Sequence, residues 1–132
     1  MTALSVLLVE DDAIIGALLA ELLANLGYNV CPVETTEAGA VAAAVRSRPD
    51  LMIADVTLAD GSGVSAVDRI SRVGPVPHLF ISGDVLQAAV PGSVLLRKPF
   101  READLVQAIG RAFGAAGAQR PAPAVASPAA SP

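Results

Sequence analysis

The sequence predicts an α/β protein: a doubly wound, five-stranded parallel sheet with helices on both faces. Three observations carry that prediction. Short apolar runs alternate with longer stretches of helical periodicity from residue 3 to residue 114. Those runs are mostly apolar, with no continuous polar face, as suits strands covered on both faces. Apolar residues make up 53% of the chain and aromatics only 3%, so Ala, Val, Leu and Ile must fill the space between sheet and helices. Alternation of strand and helix at this spacing implies right-handed crossovers and a parallel sheet.

Each element has its own signal. Leu4 to Val9 is a compact apolar strand whose one polar residue is Ser5. Ala13 to Leu26 places Ile14, Leu18, Leu22 and Leu26 at helical spacing, with Gly27 as a stop. Asn29 to Val33 reads as a second strand and Thr36 to Arg46 as a second helix. Asp50 to Ala54 holds the run LMIA, a third buried strand. A third helix begins near Ser62 or Gly63 and ends near Val73, before the Gly74–Pro75 breaker. Pro77 to Ser82 contains HLFI, a fourth strand, and Ser93 to Leu96 is a fifth. A short fourth helix falls within Val85 to Val90. Glu102 to Phe113 closes the pattern as an amphipathic helix with Leu105, Ile109 and Phe113 on one face. From residue 115 to 132 the composition collapses to Ala, Pro, Ser and Gly with Arg120 as its single charge, too little apolar surface to offset the entropy of ordering. The expectation is one folded domain over residues 3–114 and a disordered Ala/Pro-rich tail over 115–132, with no output domain.

Composition excludes several classes. A net charge of −4 argues against a nucleic-acid surface, which needs clustered Lys and Arg. The longest apolar helix candidate contains Glu21 and falls short of the roughly 20 residues of a membrane span. No basic segment precedes the first apolar run, so no signal peptide is read. Lone Cys31 forms no internal disulfide, which suits a reducing cytoplasm.

In an open parallel sheet, ligands bind beyond the carboxyl ends of the strands. After the first strand come Glu10, Asp11 and Asp12; after the third, Asp55; after the fourth, Ser82 and Gly83; after the fifth, Lys98, the single lysine of the chain. Carboxylates, a hydroxyl and an ammonium therefore meet at one edge. Mg²⁺ is a hard cation that takes one or two carboxylates with waters and phosphate oxygens. A bound cation relieves carboxylate repulsion and leaves Asp55 ionised to attack phosphorus, giving an acyl phosphate. Phosphoryl transfer needs mainly positioning and charge neutralisation, which Mg²⁺, Lys98 and the Ser82 hydroxyl with nearby N–H groups can supply. Each feature also has a plainer reading: a helix N-terminal charge cluster for Glu10–Asp12, a turn former for Asp55, a plain turn for Ser82–Gly83 and a solvated loop for Lys98–Pro99. Their conjunction favours the site. Asp12 is read as a helix N-cap, His78 as a packed strand residue, Cys31 as a small buried hydrophobe, and Tyr28, Phe80, Phe100 and Phe113 as core.

The chain resembles a response-regulator receiver (CheY-like) domain over residues 3–114, through VLLVEDD (6–12), DVTLADGSG (55–63), FISG (80–83) and RKPF (97–100). The resemblance implies strand order 2-1-3-4-5 and a single-domain response regulator of a two-component phosphorelay. It implies Glu10 and Asp11 as the acidic pair, with Asp11 the more direct metal ligand. Asp55 becomes the phosphoacceptor, the Thr57 backbone carbonyl a further Mg²⁺ ligand, Ser82 the switch hydroxyl, and Lys98 the lysine that pairs with the phosphoryl group, followed by Pro99 in cis. Partners would be a sensor histidine kinase or histidine phosphotransfer protein and a downstream protein, with neither nucleic acid nor membrane. Thr57 and Asp84 flank the site and would tune hydrolysis of the aspartyl phosphate.

Three departures stand out. Ala59 occupies a place where the family commonly has Pro, expected to change loop stiffness. Leu95 replaces the usual Tyr or Phe three residues before the lysine, so the aromatic rotamer switch is expected to be altered. Ser82 and Lys98 are only 16 positions apart, so the fourth helix must be short or irregular, as in atypical receivers with an F-x-[ST]-G motif after strand four. The competing readings are a degenerate receiver that binds partners without phosphorylation, and a haloacid-dehalogenase-type phosphatase. The second is disfavoured because Thr57 stands where a D-x-D acid would be.

Overall fold

The computed structural model describes residues 3–83 and 93–119, with side chains through residue 115. The strands are β1 (Ser5–Val9), β2 (Asn29–Val30), β3 (Leu51–Asp55), β4 (His78–Ser82) and β5 (Val94–Arg97). The helices are α1 (Ala13–Asn25), α2 (Glu37–Ser47), α3 (Gly63–Ser71) and α4 (Glu102–Gln119). All strand pairs are parallel in the order β2-β1-β3-β4-β5. The expected sheet and topology are therefore found.

Local chemistry sets most boundaries. Asp12 caps α1, its carboxylate accepting from the N–H groups of Ile14 (2.9 Å) and Ile15 (3.1 Å). Gly27 ends that helix at φ +99, with its N–H on Ala24 O and that of Tyr28 on Leu23 O. Thr36 caps α2 through Gly39 N–H at 3.0 Å, and Ser62 caps α3 through Ser65 N–H at 2.9 Å. Strand β2 is shorter than the Asn29–Val33 run suggested. Cys31 N–H still reaches Val6 O, but Pro32 has no N–H to continue the ladder, which resumes as a single bridge between Val9 and Glu34.

Leu and Ile side chains pack the sheet face under α1 and α4: Leu19, Leu23, Leu105 and Ile109 against Val6, Leu8, Ile53, Leu79 and Ile81. The opposite face, under α2 and α3, is built from Ala40, Ala43, Ala44, Ala66, Val67 and Ile70 against Leu7, Val9, Met52, Ala54 and Phe80. Leu105 and Ile109 face the core as expected, and Phe113 packs at its edge. Phe80 is fully buried; Tyr28 and Phe100 are only partly so.

Two expectations are corrected. The Ile14–Leu18 stripe is not the buried face of α1: Ile14 is 81% and Leu18 53% exposed, while Leu19 and Leu23 are fully buried. Because α1 is apolar nearly all round, periodicity alone could not orient it. The last helix runs to Gln119 rather than Phe113. Ala is the strongest helix former and no proline intervenes before Pro121, so the boundary expected at residue 114 falls short. His78 is packed as expected, half-buried, with its Nδ1 2.9 Å from Val76 O and its ring meeting Phe80 edge-on at 5.4 Å. The helix expected within Val85–Val90, Asp84, and tail residues 120–132 lie outside the described residues.

Candidate metal and phosphoryl site

Four chain segments converge at the carboxyl edge of the sheet. Glu10 directly follows β1, and its N–H donates to Glu34 O at 2.9 Å, which extends the parallel ladder and points the side chain inward. It is 1% exposed. Asp11, next in the chain, is exposed. Asp55 is the last residue of β3 and is buried at 7% exposure. Ser82 ends β4, is also buried, and its carbonyl accepts from Lys98 N–H at 2.9 Å. That bond fixes where β5 ends, so the Lys98 side chain turns back across the site. The Lys98–Pro99 peptide is cis, as expected.

Lys98 Nζ stands 2.9 Å from Asp55 Oδ2 and 3.2 Å from Glu10 Oε1. The first contact is an aligned hydrogen bond. The second is an ion pair off the hydrogen-bonding direction, which leaves Glu10 Oε1 buried with no hydrogen-bond partner. The other Glu10 oxygen accepts from Asp12 N–H at 3.1 Å. Burial foremost, with the neighbouring Asp55 carboxylate, pushes the Glu10 carboxyl up to about 7, against the lowering effect of Asp12 N–H and Lys98. Burial pulls the Lys98 ammonium down, but its bonds to Asp55 and Glu10 prevail and hold it above its ordinary value.

Glu10, Asp11 and Asp55 each offer a carboxylate oxygen, and the three oxygens lie within 4.8 Å of one another. Oxygens bound to one Mg²⁺ at about 2.0–2.1 Å in octahedral geometry stand roughly 3–4 Å apart, so a small contraction would suffice. A buried Glu10 oxygen with no aligned hydrogen bond, and a carboxyl held at about 7 beside a single lysine shared with Asp55, are the signs of a site short of positive charge. The donor set fits a hard divalent cation.

The loop between β3 and α3, residues 56–62, forms the rim. Thr57 N–H donates to Asp55 Oδ1 at 3.2 Å, and Ala59 N–H donates to Asp11 Oδ2. A proline at position 59 would lack that donor, so the Ala59 departure has a consequence beyond stiffness. Gly63 opens α3 so close to β3 that a Cβ there would stand 2.0 Å from the Asp55 carbonyl oxygen. Leu95 pairs in register with Phe80 and is half-buried against the α2/α3 side of the sheet. Sequence reasoning brought together Glu10, Asp11, Asp55 and Lys98, and set Ser82 at the adjoining strand end. It missed the Ala59 donor and the packing role of Gly63. The DGSG run carried a hint of the latter, since glycine permits close backbone approach.

The family described as the response regulator receiver domain matches residues 6–110. The phyllosphere-induced regulator PhyR of Methylorubrum extorquens is 37% identical over 84% of this chain and 44% of its own length. The chain spans about half the length of the curated relatives it matches first. The solution structure of the PhyR receiver domain from Erythrobacter litoralis superposes with a TM-score of 0.78 at 29% identity, over 86% of this chain and 92% of that one. The receiver domain of a Pseudomonas aeruginosa sensor histidine kinase, described with a magnesium ion coordinated in its active-site cleft, superposes with a TM-score of 0.74 at 28% identity, over 86% and 99%. With the match covering most of the chain and the sheet order agreeing, the chain belongs to the response regulator receiver domain family.

Proposed function

We propose that this receiver accepts a phosphoryl group on Asp55, in a Mg²⁺-dependent transfer from the phosphohistidine of a sensor histidine kinase or histidine phosphotransfer protein. The observation that carries this reading is the convergence of three carboxylates within 4.8 Å beside a lysine 2.9 Å from Asp55. In the transfer, an Asp55 carboxylate oxygen forms a bond to phosphorus as the bond from phosphorus to the donor imidazole nitrogen breaks. That nitrogen leaves with the electron pair. Glu10, Asp11 and Asp55 would hold Mg²⁺, with the Thr57 carbonyl as a further ligand. When bound, the cation neutralises charge on the phosphoryl oxygens. Lys98 pairs with a second oxygen, moving from Asp55 Oδ2 to the new phosphoryl group, and the Ser82 hydroxyl binds a third. Thr57 and Asp84 tune access of water to the acyl phosphate.

The phosphorylated domain then changes its binding to a downstream protein, or drains phosphoryl groups as a sink. It catalyses only its own phosphorylation and dephosphorylation. Among the described residues no helix is long and apolar enough to cross a membrane, and lone Cys31 suits a cytoplasmic setting. Leu95, in place of an aromatic residue, favours one second reading, a receiver that binds partners without phosphorylation. Incubation with acetyl phosphate and Mg²⁺, followed by intact-mass analysis, separates the two. Uptake of one labile phosphoryl group supports transfer to the domain. No uptake supports the second reading, and continuous donor turnover without a phosphorylated species supports a phosphatase.

A further inference from the structure

Glu37, at the first position of α2, belongs to neither the acidic cluster nor the lysine contact, yet its carboxylate accepts three hydrogen bonds. Its Oε1 accepts from Ser62 N–H at 3.0 Å. Its Oε2 accepts from the Ser65 hydroxyl at 2.6 Å and from Arg69 Nη1 at 3.0 Å. Its own N–H donates to Asp60 O at 3.1 Å. Gly61, at φ +93, lies so tightly on it that a Cβ there would stand 2.5 Å from Glu37 Cβ. These contacts fall on the far end of the 56–62 loop and the first turns of α3.

The near end of the same loop touches the site. Ala59 N–H holds Asp11 Oδ2, and Thr57 N–H holds Asp55 Oδ1. Between the two ends the chain is short, so fixing Asp60, Gly61 and Ser62 fixes where Ala59 N–H and the Thr57 backbone stand. Ordering a loop residue costs conformational entropy, and no proline constrains position 59 here. Had Glu37 served only as a surface ion pair with Arg69, it would contribute little. Its bonds to Ser62, Ser65 and Asp60 have another consequence.

We propose that Glu37 is a positioning residue for the metal and phosphoryl site, acting through the 56–62 loop on Asp11 and Asp55. The inference rests on the reading of that site as a Mg²⁺-binding phosphoacceptor. It is tested by Mg²⁺ titration calorimetry, at a temperature where circular dichroism shows every variant folded. The parent is compared with Glu37→Ala, Glu37→Gln and Arg69→Ala, and the Ala59 amide resonance is followed in metal-free samples. Glu37→Ala is expected to raise the Mg²⁺ dissociation constant about 3- to 10-fold, less than loss of a partner bonded directly to a ligand. Glu37→Gln, which keeps one acceptor oxygen, falls between parent and Ala; Arg69→Ala stays within about twofold. The Ala59 amide resonance shifts in the Glu37 variants. Should Glu37→Ala fail to fold, Ser65→Ala carries the test, with an expected weakening of about threefold and a shifted Ala59 resonance, beyond the Arg69→Ala control. A parent-like dissociation constant and an unmoved Ala59 resonance, with only a lower melting temperature, would make Glu37 a stability brace and overturn the proposal. A parent that binds no Mg²⁺ would overturn the site reading, and the proposal with it.

Discussion

The two faces of the sheet are built by different means. Under α1 and α4 the helices contribute Leu19, Leu23, Leu105 and Ile109, large side chains that remove much apolar surface from water. Under α2 and α3 they contribute mainly Ala40, Ala43, Ala44 and Ala66. Small side chains let α2 and α3 lie close to the sheet and to each other, close enough for Glu37 on one helix to reach Ser65 and Arg69 on the other. The first face supplies stability by burial. The second trades some of that burial for polar contacts that govern a loop, and the loop borders the acidic site. Substitutions on the two faces should therefore separate stability from metal binding.

The largest stability effect belongs to the Leu-rich face. Leu19→Ala or Leu105→Ala should cost about 2–5 kcal/mol in denaturant unfolding, because each deletes a fully buried side chain. Mg²⁺ affinity of the folded fraction should stay at the parent value; a large change there would dissolve the division between faces.

The next effect concerns pH. The Glu10 carboxyl sits at about 7, above its ordinary 4.5. Such a group favours the folded state most fully below pH 4.5, and its contribution is lost as pH rises through 7. In the absence of metal, this group should therefore lower stability by a few kcal/mol at most between about pH 5 and 8. A divalent cation held by Glu10 would favour its deprotonated form, so saturating Mg²⁺ should flatten the slope, and Mg²⁺ affinity should fall on acidification below 7. Urea titrations at several pH values, in chelator and in Mg²⁺, with Glu10→Gln as reference, measure this term.

Gly63→Ala should come third, at about 1–3 kcal/mol, since its Cβ would meet the Asp55 carbonyl at 2.0 Å and something must move. Unlike the leucine truncations, it should also slow phosphorylation by acetyl phosphate, because the strained backbone is that of Asp55, the proposed acceptor. Smallest of all, Ile14→Ser on the exposed side of α1 should stay within about 0.5 kcal/mol of the parent by thermal unfolding. A larger loss would mean that Ile14 is packed after all.

The fold was legible because buried parallel strands announce themselves as short, largely apolar runs, and LMIA and HLFI fall within β3 and β4. Acidic, hydroxyl and ammonium groups at successive strand ends made the site legible for the same reason: strand ends are where topology collects side chains. The facing of α1 was not legible. Thirteen residues with one charge give no polar stripe, and Ile14 and Leu18 look as buriable as Leu19 and Leu23. Nor was the shortness of β2, which depends on Pro32 interrupting a ladder. Backbone donors are invisible to residue-type reasoning, so Ala59 N–H on Asp11 could be seen only in three dimensions. Glu37 was hidden because the residues it joins, Ser62, Ser65 and Arg69, lie 25 to 32 positions away.

The central claim is that Asp55 is the acceptor in a cation-dependent transfer. Its most direct test is to treat the parent and Asp55→Asn with acetyl phosphate, in Mg²⁺ and in chelator, then trap any acyl phosphate by reduction and map the labelled peptide. The predicted result is one label, on Asp55, present in the parent with Mg²⁺ and absent from both chelator-treated parent and variant. Label on another residue, or equal labelling without a divalent cation, would contradict it.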